Sequence, residues 1–305
     1  MIYSQEDMIR RIHDTKAVSI WNHKTGPIFW YAASIPGPFY VNTELVIGPA
    51  LSKTLLEGIT AIVAETKDAQ TRAEKLETLI MTAAQTDETF ANIIETMVAS
   101  VKTSFPEGSF TVLSGGERRD WLFSIPVAKA LGIKHVYLFK NGAFYCAEPL
   151  HSGEVALHVS DLINNAASYF DNWLPILDKA GLHCIGTLCV NSRGSNGVDR
   201  LKANGQKVVA LNSVDISFFE KSLASGLIDA ATLEELKVFF GSAQAWASRY
   251  VMDKPELFNA AGIDGKSFER LQTFFAKDPW TLREAHPGFF QAMEAAIAER
   301  LKAQD

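Results

Sequence analysis

Acids, amides and arginines gather in two short stretches of the chain. In one, four largely apolar residues, Ala156-Leu157-His158-Val159, lead into Ser160-Asp161-Leu162-Ile163 and then into Asn164, Asn165, Ala166, Ala167 and Ser168. Small side chains ahead of a helix leave its unpaired N–H groups open, which makes an anion site. Asn and Ser add side-chain donors, and an Asp just past a strand end can hold sugar hydroxyls. A capped helix start, with Asp161 in a structural hydrogen bond, is the plainer reading of the same residues. The other stretch is Ser114-Gly115-Gly116-Glu117-Arg118-Arg119-Asp120. Paired glycines let the backbone approach a ligand or take a positive φ, and two arginines can clamp phosphate oxygens. An exposed turn with solvated arginines fits these residues as well. His158 is unusual in a buried strand and reads as a satisfied core histidine.

The elements around these stretches follow from periodicity and punctuation. Ser4 with Asp7 marks a helix start, ending near Thr15. Ile28 to Ile47 reads as two short strands around a turn at Pro36-Gly37-Pro38. Ala50 to about Ser104 reads as three helices, broken near Lys67-Asp68 and Thr86-Asp87. Strands are then expected at Phe110–Leu113, His135–Phe139, Val155–Val159, Cys184–Val190 and Val208–Leu211. Helices over Leu122–Leu131, Ala167–Ala180 and Gly197–Asn204 alternate with them. That alternation implies right-handed crossovers and a mainly parallel sheet covered on both faces. Ligands of such sheets bind outside the carboxyl ends of the strands. From Ser217 onward the signals are helical, with an aromatic stripe (Phe218, Phe219, Phe239, Phe240, Phe274, Phe275) that reads as core. Four segments result: 1–50 at the N-terminus, inserted helices over 51–105, an α/β core over 106–227 and a helical extension over 228–305.

The 305 residues suit about two domains, and 47% hydrophobic against 21% charged residues excludes a disordered chain. Twenty-nine Lys and Arg against 35 Asp and Glu give a net charge of −6, the wrong sign for a sequence-independent grip on nucleic acid. Cys146, Cys184 and Cys189 lack CxxC spacing, and the seven histidines form no HxxxH or HExxH pair. The N-terminal residues turn charged at once, and nowhere do eighteen apolar residues run together. A cytoplasmic protein with no membrane partner is expected.

The stretch Ala156–Ser168 resembles the phosphoribosyl pyrophosphate (PRPP) signature of type I phosphoribosyltransferases. That signature has four apolar residues, two acids and two apolar residues before a Thr-Thr-Gly-x-Ser/Thr loop. Further segments are similar to orotate phosphoribosyltransferases. They are Phe29–Ser34 with Gly37–Tyr40, Val112–Gly132 with its Ile125-Pro126-Val127-Ala128, Phe139-Lys140 in place of an Arg-Lys pair, and Val190–Leu201 in place of an Asp-Arg-x-x-Gly strand end. The match spans roughly 28–225, with helices inserted between about 66 and 103. The resemblance implies an α/β, type I phosphoribosyltransferase-like fold with an all-helical C-terminal extension and a hood-like N-terminal segment. It also implies PRPP or a nucleotide as ligand, transfer to an orotate-like base, Mg²⁺ as cofactor with no direct protein ligand, and a homodimer. By position it gives Asp161 the ribose. Asn164, Asn165, Ala166, Ala167 and Ser168 receive the 5′-phosphate. Gly115, Gly116, Arg118, Arg119 and Lys140 receive the pyrophosphate, and Arg193 receives the base carboxylate. Asp161, Lys140 and Arg119 form the implied catalytic set.

The chain departs from that pattern at informative places. Ser160 replaces the first acid, Asn164 and Asn165 replace the threonines, and Ala166 replaces the glycine. Family members close a mobile loop whose Lys and His meet the departing pyrophosphate. Between Lys140 and Val155 this chain has no Lys or Arg, and His151 stands among Glu148 and Glu154. Losing one preorganised donor costs on the order of 3 kcal/mol in the transition state. A catalytically degenerate ligand-binding or regulatory protein on the same fold is therefore the alternative expectation. An unrelated dinucleotide binder is disfavoured, because no GxGxxG follows a strand.

Overall fold

The computed structural model, which describes residues 1–22, 26, 28–252, 254 and 264–303, opens on helix α1 (Gln5–Asp14). Ser4 Oγ accepts the Asp7 N–H at 3.1 Å and Asp7 returns the bond to the Ser4 N–H at 2.9 Å, the capping box that the sequence predicts. Short strands β1 (Val18–Ile20), β2 (Phe29–Trp30), β3 (Pro36–Gly37) and β4 (Phe39–Val41) follow. β2 pairs with β3 and β1 with β4, both antiparallel. The expected turn at Pro36-Gly37-Pro38 is instead part of this pairing. The chain reverses at 31–35, where the Tyr31 N–H bonds the Ile35 carbonyl and Ser34 takes φ +59°. The remainder of the 28–47 stretch is a 3₁₀ turn over Thr43–Ile47 rather than strand.

Three helices follow, α2 (Pro49–Glu65), α3 (Ala69–Thr86) and α4 (Glu88–Ser104). The breaks lie at the predicted acids, since Asp68 accepts the Thr71 N–H and Asp87 the Phe90 N–H. The alternating part comprises β5 (Val112–Gly116), α5 (Asp120–Leu131), β6 (Lys134–Leu138), β7 (Phe144–Tyr145) and β8 (Val155–Ile163). A wide π turn over Tyr169–Trp173 then leads into α6 (Leu174–Lys179), and β9 (His183–Arg193), α7 (Asn196–Ala203) and β10 (Lys207–Val214) complete it. Helices α8 (Ile216–Ala224), α9 (Ala230–Gly241), α10 (Ala243–Tyr250), α11 (Gly265–Lys277) and α12 (Pro287–Lys302) close the chain.

Six strands form one sheet in the order β10-β9-β8-β5-β6-β7, parallel throughout except for the edge strand β7. From β5 the chain runs outward to β6 and β7, then returns to place β8 on the other side of β5. The strand order therefore reverses between β5 and β8, where open α/β sheets leave a crevice. β8 runs to Ile163 rather than ending at Val159, because the long β9 keeps pairing with it as far as Ile163 opposite Ser192. Val112, Val136, Leu138, Ala156, Leu177 and Leu201 fill the core against this sheet.

The chain divides into two units, Met1–Ala17 with Asn42–Phe218 and Val18–Val41 with Phe219–Asp305. The segments read from the sequence follow other lines, since residues 1–50 are shared between the units. In the second unit Trp21, Trp30, Trp246, Phe274, Phe275 and Phe290 share one core, so the aromatic stripe is packing. Among the described residues no helix is long and apolar enough to cross a membrane.

Candidate functional site

A pocket of about 540 Å³ opens at the carboxyl ends of β5, β6 and β8. Glu117, Arg118, Arg119 and Asp120 line it after β5, Lys140 after β6, and Ser160–Leu162 with Asn164–Tyr169 from β8 onward. Leu56 and Thr60 of α2 and Trp173 complete the wall.

The loop after β8 is held from outside the pocket. The Asn164 carbonyl accepts the Gly197 N–H at 3.0 Å, and the Asn165 carbonyl accepts the Arg200 guanidinium, which also lies 4.6 Å from the centre of the Phe170 ring. A Cβ at position 197 would overlap the Asn164 carbonyl, so the close approach requires glycine there. In a trans peptide the C=O and N–H point opposite ways. Fixing the Asn164 carbonyl on Gly197 therefore turns the Asn165 N–H away from α7, while the Ala166 nitrogen packs beside Gly197. Among the described residues neither N–H meets an acceptor. Ala166 sits in the left-handed region at φ +59°, the place the sequence resemblance gives to glycine. The Ala167 N–H is taken internally by Asn165 Oδ1 at 3.0 Å.

The β5 side is built differently from the sequence expectation. Gly115 and Gly116 lie inside the strand and do not line the pocket. A Cβ on Gly115 would overlap Ser124 and one on Gly116 the Trp173 indole, so these glycines serve close packing rather than a phosphate approach. The turn that follows joins two strand ends. The Glu117 N–H bonds the Leu138 carbonyl at 2.9 Å, and Glu117 Oε2 accepts the Lys140 N–H at 3.2 Å. The Glu117–Arg118 peptide is cis. Arg118 donates to Thr60 Oγ1 at 2.7 Å, whereas Arg119 is ion-paired at 3.0 Å with Glu44, which is 5% exposed.

Asp161 stands on β8 beside Asp120. Asp120 Oδ1 accepts the Asp161 N–H at 3.0 Å, and Asp161 Oδ1 accepts the Leu162 N–H at 2.7 Å. Burial, then the neighbouring Asp120 carboxylate, push the Asp161 carboxyl well above the usual range, against the pull of Arg119. Ser160 has its hydroxyl committed to Tyr169 Oη at 2.7 Å, and that phenol continues to Thr187 at 2.7 Å. His158 is fully buried, with Nδ1 2.9 Å from Ser114 Oγ, but among the described residues its Nε2 has no hydrogen-bond partner. It is thus a core histidine with one nitrogen unsatisfied. Arg193 ends β9 opposite Val214 and does not line the pocket.

Of the residues singled out in the sequence, the fold thus brings Asp161, Asn164–Ser168, Arg118, Arg119 and Lys140 together and leaves Gly115, Gly116 and Arg193 outside. Asp120, Glu44, Thr60 and Trp173 escaped the sequence reading. Asp120 carried a signal, an acid beside two arginines, but the helix was expected to start at Leu122 instead of at Asp120 itself. Among the described residues no three His, Cys, Asp or Glu side chains gather to hold a metal.

No family model matches the sequence, and no curated protein matches it. Solved structures do match in shape. The UMP synthase of Leishmania donovani superposes with a TM-score of 0.55 at 11% identity, covering 78% of this chain and 42% of that one. The orotate phosphoribosyltransferase of Francisella tularensis superposes with a TM-score of 0.51 at 11% identity, covering 76% of this chain and 96% of that one. The chain has the type I phosphoribosyltransferase fold. Within that fold, the pocket lies where β5 and β8 part, and this chain spans less than half the length of the UMP synthase it resembles.

Proposed function

We propose that the pocket binds a ligand containing ribose 5-phosphate, PRPP or a nucleotide. The observation that carries this reading is the loop 164–168, which has two successive N–H groups without acceptors among the described residues and lines a pocket with three cations. Successive main-chain amides of this kind make an anion-binding concavity. The Ser168 hydroxyl adds a donor, Asp161 accepts from the ribose, and Arg118, Arg119 and Lys140 face a diphosphate. In the transfer reaction a base nitrogen bonds to C1 of the ribose as the C1–O bond to diphosphate breaks, and cations near the leaving oxygens lower the barrier. Mg²⁺ would enter with the ligand, on its phosphate oxygens. The reading further takes the protein as cytoplasmic and dimeric.

A second reading, a ligand-binding or regulatory protein without transfer, is favoured by a specific observation. Arg119 spends its charge on the buried Glu44, and Ser160 stands in place of an acid with its hydroxyl already bonded. Calorimetric titration with PRPP and Mg²⁺, beside an assay for pyrophosphate release with orotate and other bases, separates the readings. Binding with release supports transfer, and binding without release supports the regulatory reading. Absence of binding by any phosphosugar or nucleotide overturns both. Arg119→Ala is expected to weaken PRPP by about tenfold, the scale of one charge-assisted contact. Unchanged affinity would remove Arg119 from the site.

A further inference from the structure

Two carboxylates from different elements meet in the pocket. Asp161 belongs to β8, and Asp120 is the first residue of α5. Asp120 is 7% exposed yet lines the pocket. Its Oδ1 accepts the Asp161 N–H at 3.0 Å and its Oδ2 the Gly116 N–H at 3.1 Å, so the carboxylate is locked between β5 and β8. Behind it lies His158 Nε2, 3.6 Å from Oδ2 and without a hydrogen-bond partner among the described residues.

A pair of carboxyl groups offers several acceptor sites, and main-chain N–H groups fill only some of them. The nearest pocket cations point elsewhere, Arg119 to Glu44 and Arg118 to Thr60. Beyond His158 Nε2, 3.6 Å from Asp120 Oδ2, the donors that complete the pair come from a ligand or from water. Neighbouring hydroxyl groups suit this pair, since each brings an O–H donor to a fixed acceptor. The phosphate loop begins three residues after Asp161, at most about 10 Å of extended chain and within reach of one pentose.

We propose that Asp120 joins Asp161 in recognising two adjacent hydroxyls on the sugar of the bound ligand, making Asp120 a specificity-determining residue. This rests on the ribose-phosphate reading of the pocket. The elevated Asp161 carboxyl fits the arrangement, since a proton shared within the pair lets one oxygen donate while the others accept. Asp120 supplies from a helix the second acid that position 160 of the strand does not.

The test compares ribose 5-phosphate with 2-deoxyribose 5-phosphate by calorimetry, first on the unaltered protein. A preference of about tenfold or more for the ribose compound is expected, because removing one hydroxyl leaves a charged acceptor unpaired. Asp120→Asn should cut that preference to about twofold while holding the deoxy compound within about threefold of its original affinity. Asp161→Asn should also erase the preference, and circular dichroism reports whether each variant is folded. Equal weakening of both compounds in a folded Asp120→Asn would make Asp120 merely structural and overturn the proposal. Equal binding of both compounds by the unaltered protein would overturn it as well, with the phosphate reading intact. Failure of the unaltered protein to bind either compound would instead remove the ribose-phosphate reading, and the proposal with it.

Discussion

Asp161 is held in an environment that works against its charge. Its folded-state pKa is raised by burial and by Asp120, while an unfolded chain returns it to about 4. The folded form therefore keeps a proton that the unfolded form releases. The resulting stability is fully present below about pH 4 and is lost as pH rises through the folded value. Asp161→Asn removes that loss, because an amide oxygen can still accept the Leu162 N–H. The variant should melt at a higher temperature than the parent at pH 8, with the gap closing toward pH 4. Scanning calorimetry across that range checks it, and a variant less stable at pH 8 would contradict the charge argument. Higher stability with lost ligand preference is the expected pattern at a binding residue.

At the scale of elements, α7 shapes the loop it does not contain. Gly197 and Arg200 take consecutive loop carbonyls, and the Arg200 guanidinium packs over Phe170. Arg200→Ala should cost about 1 kcal/mol of stability, the sum of an exposed cation–π contact and a modest hydrogen bond. Its larger effect should be on phosphate, an affinity loss of about fivefold or more as the Asn165–Ala166 peptide is freed to rotate. Titration of ribose 5-phosphate against both proteins reads this directly. A stability loss with unchanged affinity would show that the loop holds its shape unaided. The cap at Ser4 and the helix breaks at Asp68 and Asp87 were legible in the sequence because such signals act within four residues of themselves. The Gly115-Gly116 pair misled because its reason, room for Ser124 and Trp173, lies on other elements.

At the scale of the molecule, the second unit is assembled from two stretches of chain joined around a buried acid. Glu235 Oε1 accepts both the Trp246 indole N–H at 2.7 Å and the Trp21 indole N–H, and the two rings meet edge to face. Each buried donor left unsatisfied costs about 1–3 kcal/mol, so Glu235→Ala should destabilise the protein by roughly 2–5 kcal/mol. Glu235→Gln keeps an acceptor oxygen and should lose less. Urea denaturation followed by tryptophan fluorescence measures both, and a neutral Glu235→Ala would show that the indoles find other acceptors. Nothing local in Trp21 or Glu235 foretold their meeting, which is why residues 18–41 read as part of a continuous N-terminal segment.

The sequence by itself determined the three inserted helices and the strand–helix alternation, because periodicity and helix-break residues act over one or two turns of chain. The order of the sheet, the pairing of Arg119 with Glu44 and the meeting of Asp120 with Asp161 were decided by tertiary structure. Their partners lie 75 and 41 residues apart in the chain. Charge and hydrogen bonding across such separations depend on which strands become neighbours, a choice made by burial of the whole sheet.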